Sequence, residues 1–256
     1  MVKPKKRLGQ HFLKDVHIAQ RIIEAFAPVQ EDFIIEIGFG TGVLTQYILD
    51  KDALFLDVDK ESFAFMTKKY PQYKHKFKLA DFLQLPLQEY GKNIALIGNL
   101  PYNISSQIFF KILDNKDIIK HSVFMVQKEV AQRLVSSGNN KEYGILSVLL
   151  GVYYDIKLLF DVKPGAFNPP PKVVSSVISM NRNNVKNIGV PDTFFKQVVK
   201  SAFSQRRKML RNTLSPFLKG EKISQNISAY LNKRPEQLSP RDFILLATEL
   251  FSITKL

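Results

Sequence analysis

The tetrapeptide Asn99-Leu100-Pro101-Tyr102 is the part of the sequence whose residue types could do chemistry together. The asparagine side-chain oxygen and a neighbouring backbone carbonyl are two acceptors that could hold both hydrogens of a ring amino group. Such contacts favour a pyramidal nitrogen, recover its lone pair and stabilise the positive charge of methyl transfer. Pro101 fixes the backbone, and Tyr102 offers a flat face for base stacking, worth ~1–3 kcal/mol. The pattern therefore suggests methylation of a base amino nitrogen, although a simple turn with a core tyrosine remains an alternative.

A proline loop supplies a candidate second stacking platform. In Phe167-Asn168-Pro169-Pro170-Pro171, three prolines cannot donate to a sheet, so we expect an extended loop. We predict that the target base lies between Tyr102 and Phe167. A base in a helix must leave its stack to reach such a slot.

A glycine loop, Glu36-Ile37-Gly38-Phe39-Gly40-Thr41-Gly42, follows the first predicted strand. Glycines let the backbone turn sharply and let a ligand approach the main chain, so Gly38 and Gly40 are candidate cofactor contacts. The carboxyl edge of a parallel sheet is also where doubly wound folds bind nucleotides. The G-x-G-x-G spacing differs from dinucleotide and P-loop motifs. A tight turn without a ligand remains open.

Acidic residues follow the next two predicted strands. Asp57 could accept hydrogen bonds from both ribose hydroxyls, and Asp59 is its competitor. Asp81 could accept from an adenine N6 amino group while the backbone N–H of Phe82 donates to N1. Each acid alone could instead be a helix cap or a surface charge. Together with the glycine loop, they describe an adenosine ligand that needs no pyrophosphate, which indicates S-adenosylmethionine.

Short apolar runs alternate with helical segments through the first half of the chain. This order is typical of an α/β protein with a parallel, doubly wound sheet. The predicted strands are Phe33–Ile37, Ala53–Val58, Phe77–Leu79, Asn93–Ile97 and Ser122–Val126, with β-like runs at Val152–Leu159 and Val173–Ser179. Helices are predicted over residues 42–50, 60–69 and 105–113. The polar stretch Asn181–Gly189 suggests a boundary between a catalytic domain, 1–185, and a small helical domain, 186–256, in which Asp192 and Ser239 are predicted helix caps.

The positive charge lies at the two ends of the chain. Of the net +14, residues 1–10 carry +4 and residues 186–256 carry +8. This distribution favours a nucleic-acid partner. The densest cluster holds Arg206, Arg207, Lys208 and Arg211, and on one helix Arg207 and Arg211 would face the same way. The alternative is that these charges are ordinary solvated side chains, or a charged helix face packed against the sheet domain. Residues 1–8 are expected to form a tail that is disordered without RNA.

Other compositional features argue against several classes of site. The chain has no cysteine and only four histidines, none paired at ligand spacing, so we expect no metal. No apolar run reaches the ~18 residues of a membrane span, and no apolar leader follows the basic start. We expect a soluble, cytoplasmic protein with no membrane partner.

The sequence resembles the ribosomal RNA adenine N6,N6-dimethyltransferase family, specifically its bacterial small-subunit (16S) members. The resemblance runs nearly end to end. It is carried by Lys6–Leu13, Glu36–Gly42, Asn99–Tyr102, Gln127–Ala131, Tyr143–Val148, Phe167–Val173, Phe203–Leu214 and Arg234–Ser239. It implies a class I (Rossmann-like) methyltransferase sheet, S-adenosylmethionine as donor without a metal, and a helical domain that grips RNA. The expected reaction dimethylates two adjacent adenosines in the 3′-terminal hairpin of 16S rRNA during 30S assembly, by a monomer.

The resemblance also assigns roles to single residues. It implies that His11 and Leu13 touch the methionine end of the donor, that Gly38 forms its turn, and that Asn99 lies between donor and target. Asp57 would take the ribose and Asp81 the adenine. The chain departs from the usual family pattern at four positions. The family more often has Asn in place of His11, Pro in place of Phe39, Glu in place of Asp57 and Asp in place of Val174.

Three other functions compete with this one. A related 23S rRNA methyltransferase of the macrolide-resistance type more often carries Asn-Ile-Pro-Tyr in place of the present tetrapeptide. A non-catalytic ribosome assembly factor could keep the same fold. Methylation of adenine in DNA would use the same tetrapeptide chemistry.

Overall fold

The computed structural model describes residues 2–26, 32–218 and 225–254. The chain forms two compact units. A sheet unit contains Met1–Ala131 and Asp155–Arg182, and a helical unit contains Gln132–Tyr154 and Asn183–Leu256.

A seven-stranded sheet forms the centre of the sheet unit. The strands in the described part of the chain are β1 (Phe12–Leu13), β2 (Phe33–Ile37), β3 (Ala53–Asp57), β4 (Phe77–Leu79), β5 (Ile94–Asn99), β6 (Ile119–Gln127), β7 (Tyr154–Val162), β8 (Phe167–Asn168) and β9 (Ser175–Arg182). The large sheet has the order β4-β3-β2-β5-β6-β9-β7, while β1 and β8 form a separate antiparallel pair. The strands β2 to β6 are parallel, and β9 runs antiparallel to β6. The predicted α/β class is confirmed.

Burial explains why the central strands were recognisable. Almost every residue of β2, β3 and β5 is buried, so these strands are continuously apolar rather than alternating. The strand order runs outward from β2 and β5 in opposite directions, which opens a crevice at their carboxyl ends. Glu36, Asp57 and Asn99 all lie in the last two residues of their strands.

The first four helices are α1 (Val16–Ala25), α2 (Lys60–Lys69), α3 (Ser105–Asp114) and α4 (Lys128–Val135). The Asp15 carboxylate caps α1 by accepting from the backbone N–H groups of His17 and Ile18. Asp59 caps α2 through the N–H of Glu61. The predictions over 60–69 and 105–113 match α2 and α3 to within one residue.

The helix predicted over residues 42–50 is wrong, because only a 3₁₀ turn, Thr45–Tyr47, forms there. The segment begins at Gly42, whose φ of +82° is left-handed. A Cβ at Gly42 would lie 2.2 Å from Cε of Met66, so a larger residue there would also force the Met66 side chain of α2 to move.

Within the described residues, the helical unit has five further helices: α5 (Ile145–Tyr153), α6 (Asp192–Ala202), α7 (Leu210–Thr213), α8 (Gln225–Leu231) and α9 (Pro240–Thr254). Ser239 caps α9, as predicted, because its Oγ accepts from the N–H of Asp242 at 3.2 Å. Asp192 does not cap α6. It is the first helical residue, its carboxylate accepts from the hydroxyl of Tyr153 at 2.6 Å, and Pro191 precedes it.

The division into units differs from the expected 1–185 and 186–256 in one long segment. Residues 132–154, expected in the first domain, belong to the helical unit, and the second break falls at 182/183. The cause is α5, in which seven of nine residues are buried and which packs against α6 and α9. The apolar residues Val152 and Tyr153 are the end of this helix, so the strand that was predicted from Val152 begins only at Tyr154.

The basic cluster around Arg207 is not one helix. A 3₁₀ turn over Phe203–Gln205 is followed by an irregular segment, and α7 starts at Leu210 after the extended residue Met209. Arg207 and Arg211 are therefore not one turn apart on a shared helix, which corrects the prediction. Both side chains are exposed, as is that of Lys208.

Candidate active site

A cavity at the carboxyl ends of β2, β3 and β5 collects most of the residues selected from the sequence. It is also lined by residues 8–12 of the amino-terminal segment. The predicted residues that line it are His11, Gly38, Gly40, Asp57, Asp81, Phe82, Asn99, Leu100, Pro101 and Tyr102. Leu13 and Phe167 are not among them.

The glycine loop forms the floor of this cavity. The backbone N–H of Gly38 donates to the carbonyl of Leu56 at 2.8 Å, which ties the loop to β3. Gly38 and Gly40 have left-handed φ angles of +76° and +52°. A Cβ on Gly40 would lie 2.9 Å from the Phe12 ring, whereas one on Gly38 would lie 3.8 Å from the backbone oxygen of Asn99. Glycine therefore keeps the main chain accessible beside Asn99.

Asp57 is fixed by the backbone around it. Its two carboxylate oxygens accept the N–H of Gly40 at 2.9 Å and that of Asp59 at 2.8 Å. Burial raises the pKa of Asp57, and these backbone hydrogen bonds partly offset the rise. Each carboxylate oxygen can accept a further hydrogen bond, so the group can still receive two hydroxyls.

Asp59, the competitor for the ribose role, is already occupied. The Lys5 ammonium lies 2.5 Å from Oδ1, the Gln10 amide donates to Oδ2 at 3.2 Å, and the N–H of Glu61 donates to Oδ1. Burial raises the pKa of Asp59, but these hydrogen bonds together outweigh it and hold the pKa below its ordinary value. The geometry therefore favours Asp57 as the acceptor that faces a ligand.

Asp81 and Phe82 begin a 3₁₀ turn at the end of β4. Oδ1 of Asp81 accepts the N–H of Leu83 at 2.9 Å, so this residue is a helix cap as well as a wall of the cavity. Its second oxygen is left to accept from an amino group. The Phe82 ring is buried.

Asn99 is oriented by the amino-terminal segment. Its Nδ2 donates to the backbone carbonyl of His11 at 2.9 Å. A carbonyl can only accept, so the amide nitrogen must face His11, and Oδ1 remains as the acceptor. The N–H of Leu100 donates to the carbonyl of Met125, which anchors the tetrapeptide to β6.

Residues 8–12 line the cavity, and residues 5–8, which were expected to belong to a tail that is disordered without RNA, make contacts with the sheet unit in this structure. Lys5 bridges Asp59 and Glu61, and residues 6–8 form a 3₁₀ turn. β1 then pairs with β8, placing Leu13 opposite Phe167. The motif Lys6–Leu13 marked this segment as part of the family pattern. Nothing in the sequence indicated that Lys5 and Gln10 contact Asp59.

Phe167 is not an exposed stacking platform in this structure. Its ring is 1% exposed and belongs to the hydrophobic core. Leu13 is likewise buried, and it lines a separate cavity of about 20 Å³ with Gly38 and Asn99. The β1–β8 pair directs both side chains inward, which the sequence could not indicate.

Glu36, to which the sequence motif gave no role, lines the small cavity with Leu13 and Asn99. It is 1% exposed, and its Oε2 has no hydrogen-bond partner among the described residues. Burial raises the pKa of the Glu36 carboxyl to about 8, and nearby Asp57 adds to the rise.

The described residues lack two other features, a cluster of metal ligands and a membrane-spanning helix. Within 2–26, 32–218 and 225–254, no group of three His, Asp or Glu side chains could hold a metal ion. In the same part of the chain, no helix is long and apolar enough to cross a bilayer.

Comparison with known proteins gives consistent matches over nearly the whole chain. A family model described as ribosomal RNA adenine dimethylase matches residues 1–250. A protein named ribosomal RNA small subunit methyltransferase A from Bacteroides thetaiotaomicron is 49% identical over 254 residues, covering 98% of this chain and 95% of that protein. Its namesake from Flavobacterium johnsoniae is 44% identical over 253 residues, covering 97% and 96%.

Solved structures support the fold. A dimethyladenosine transferase from Plasmodium falciparum has a TM-score of 0.79 at 22% identity, covering 96% of this chain and 98% of that chain. The 23S rRNA methyltransferase ErmE has a TM-score of 0.71 at 20% identity, covering 94% and 99%.

Proposed function

The chain belongs to the ribosomal RNA adenine dimethylase family, and we infer that it dimethylates the N6 amino groups of two adjacent adenosines in the 3′-terminal hairpin of 16S rRNA. The choice of 16S rRNA is supported by the 44–49% identity to proteins named ribosomal RNA small subunit methyltransferase A. The observation that carries methylation of an adenine amino group is the position of Asn99. It lies at the carboxyl end of β5 with its amide held by His11, in one cavity with Gly38 and Asp57.

The cavity fits S-adenosylmethionine. Gly38 leaves the main chain uncovered beside Asn99, and Gly40 lines the cavity with its N–H donated to Asp57. Asp57 offers carboxylate oxygens for the ribose, and Asp81 with the Phe82 backbone suits the adenine edge. His11 lines the methionine end in this proposal, and Leu13 supports it from the core. When bound, the donor supplies an electrophilic methyl group attached to a sulfonium sulfur.

The tetrapeptide prepares the target nitrogen. Asn99 Oδ1 and the adjacent backbone carbonyl of Leu100 accept the two N6 hydrogens, which concentrates the lone pair on the nitrogen. Pro101 stiffens the segment, and Tyr102 supports the base. Once alkylated, the nitrogen is acidic and loses a proton without a strong base, so the chain needs none. Holding both reactants near contact distance supplies much of the rate.

The helical unit is the proposed grip on RNA. Arg207, Lys208 and Arg211 are exposed, and Arg206 is half-buried with its guanidinium donating to the carbonyl of Asn140 at 2.8 Å. Guanidinium groups suit phosphate contacts. We propose that the enzyme acts as a monomer on immature 30S subunits, and therefore in the cytoplasm.

A particle assay tests the assignment. Immature 30S subunits, 50S precursors and duplex DNA are incubated separately with the enzyme and labelled donor. Label is expected on 30S particles only. Label confined to 50S particles would identify the 23S type of enzyme, and label confined to DNA a DNA methyltransferase.

A variant separates catalysis from assembly. Asn99→Ala is expected to lower the methyl-transfer rate about 10²–10³-fold, as for loss of one hydrogen bond to a developing charge, while binding to 30S particles survives. Unchanged turnover would contradict the mechanism.

A further inference from the structure

The ring of Tyr102 is held at two points by residues distant in sequence. Its hydroxyl lies 2.7 Å from Oγ of Ser175, the first residue of β9. The imidazole of His11 stacks on the ring, with centroids 5.6 Å apart and planes 25° from parallel. Stacking of a base requires a fixed ring plane, and each of these two contacts restricts the movement of the Tyr102 ring.

Both contacts depend on the chain that joins β8 to β9. Ser175 is fully buried, and its backbone is paired with Gln127 in the sheet, so its hydroxyl is a rigid anchor. The His11 ring is fixed by Nδ1, which lies 2.8 Å from the carbonyl of Pro169. Because that carbonyl can only accept, Nδ1 carries the proton in this contact.

We propose that Ser175 and His11 are positioning residues that clamp the Tyr102 ring so that it offers a single face to the target adenine. The proposal rests on the proposed function, since it takes Tyr102 as the surface on which that adenine stacks.

The spacing of the rings decides which face is used. An adenine inserted between two rings needs two contact distances, about 7 Å in total. The 5.6 Å between His11 and Tyr102 is too short for that arrangement. The adenine therefore stacks on the face of Tyr102 that His11 does not cover. His11 supports the ring from behind, and buried Phe167 takes no part.

Neighbouring Ser176 provides a matched control. It is also fully buried, and its Oγ donates to Oδ1 of Asp161 at the same distance of 2.7 Å. Successive residues of a strand point to opposite faces, so Ser176 has no contact with Tyr102. Ser176→Ala therefore removes a hydrogen bond of the same length from an equally buried serine without releasing the ring.

The test measures single-turnover methylation of immature 30S particles by the full-length enzyme at saturating donor and RNA. Ser175→Ala and Tyr102→Phe are each expected to lower the rate about five- to ten-fold, the loss of one net hydrogen bond. Particle affinity should stay within about two-fold, because phosphate contacts supply most of it. The double variant should be no slower than either single variant, since both remove the same bond. Ser176→Ala should stay near the wild-type rate.

Two results would overturn the role of Ser175. One is a rate for Ser175→Ala equal to that of Ser176→Ala. The other is a double variant whose rate loss is the product of the single losses. If the wild-type enzyme fails to methylate 30S particles at all, the proposed function fails instead, so the two failures are distinguishable.

The His11 part has its own pair of variants. His11→Ala removes the backing ring but keeps the main-chain carbonyl that holds Asn99, and a several-fold slower rate is expected. His11→Phe restores a flat ring and is expected to recover at least half of the rate. Wild-type turnover by His11→Ala, or equal losses in both variants, would overturn this role.

Discussion

At the scale of single residues, two acids close together at the end of β3 have different hydrogen-bond partners. Asp57 accepts only backbone N–H groups, whereas Asp59 is taken up by Lys5 and Gln10. The sequence alone left these two acids as competitors. Their distinction depends on Lys5, which lies 54 positions from Asp59 and which no local pattern connects to it.

Asp57→Asn should weaken binding of S-adenosylmethionine. An amide puts an N–H group where the carboxylate now accepts from Gly40 or Asp59, and it loses the charge that strengthens ribose contacts. We expect the donor Kd, measured by titration calorimetry, to rise about 10- to 100-fold. Asp52→Asn, at an exposed position just before β3, should leave the Kd unchanged. Equal affinities for wild type and Asp57→Asn would remove Asp57 from the donor site.

Glu36 makes the stability of the sheet unit depend on pH. Its pKa is about 8 in the folded chain against an ordinary 4.5, so between these values only the folded state holds the proton. Raising the pH through this window therefore favours unfolding, by at most about 5 kcal/mol for the full shift.

Glu36→Gln, which has no such proton, should show a flatter Tm between pH 5 and pH 8, recorded without donor. It should also be more stable than wild type at pH 8. Glu89→Gln, at an exposed site, serves as the control and should keep the wild-type slope. Parallel slopes for all three proteins would contradict the assigned pKa.

At the scale of elements, the amino-terminal segment is the part of the site that depends most on long-range contacts. Lys5 fastens it to Asp59, and the His11 carbonyl then holds Asn99. Lys5→Ala should weaken donor binding several-fold in the absence of RNA, although Lys5 does not line the cavity. Lys6→Ala removes the same charge from an exposed neighbour and should bind the donor normally. If both variants bind equally well, the segment does not depend on this ion pair.

Elements were predicted correctly where burial on both faces of the sheet makes the sequence continuously apolar. The strands β2, β3 and β5 lie in the middle of the sheet, so their apolar runs were sufficient to identify them. The helix over 42–50 failed because the left-handed turn at Gly42 and its packing against Met66 are properties of the folded chain. The same limit applies to Phe167, whose motif was recognised but whose burial depends on pairing with β1.

At the scale of the whole molecule, the packing of α5 places it in a different unit from the one that its position in the sequence suggested. Residues 132–154 precede the last two long strands, yet they are part of the helical unit. The boundary near residue 185 was recognisable because the chain there is polar and lacks periodicity. The change of unit at residue 132 could not be predicted, because the apolar run of a buried helix such as α5 resembles that of a buried strand.

The net charge of +14 predicts binding to RNA that depends strongly on salt. Replacing Arg207, Lys208 and Arg211 by Gln should lower affinity for 30S particles and reduce the slope of log K against log salt by about 0.7–0.9 for each lost phosphate contact. Donor affinity should not change, because these residues do not line the cavity that contains Gly38, Asp57 and Asn99. An unaltered salt slope would show that the cluster does not contact RNA phosphate.

Mass spectrometry of nuclease-digested 16S rRNA from immature 30S particles treated with enzyme and donor tests the proposed reaction most directly. The wild-type enzyme is expected to leave two adjacent N6,N6-dimethyladenosines in the 3′-terminal hairpin, and Asn99→Ala none. Unmodified adenosines after wild-type treatment, or full dimethylation by Asn99→Ala, would contradict it.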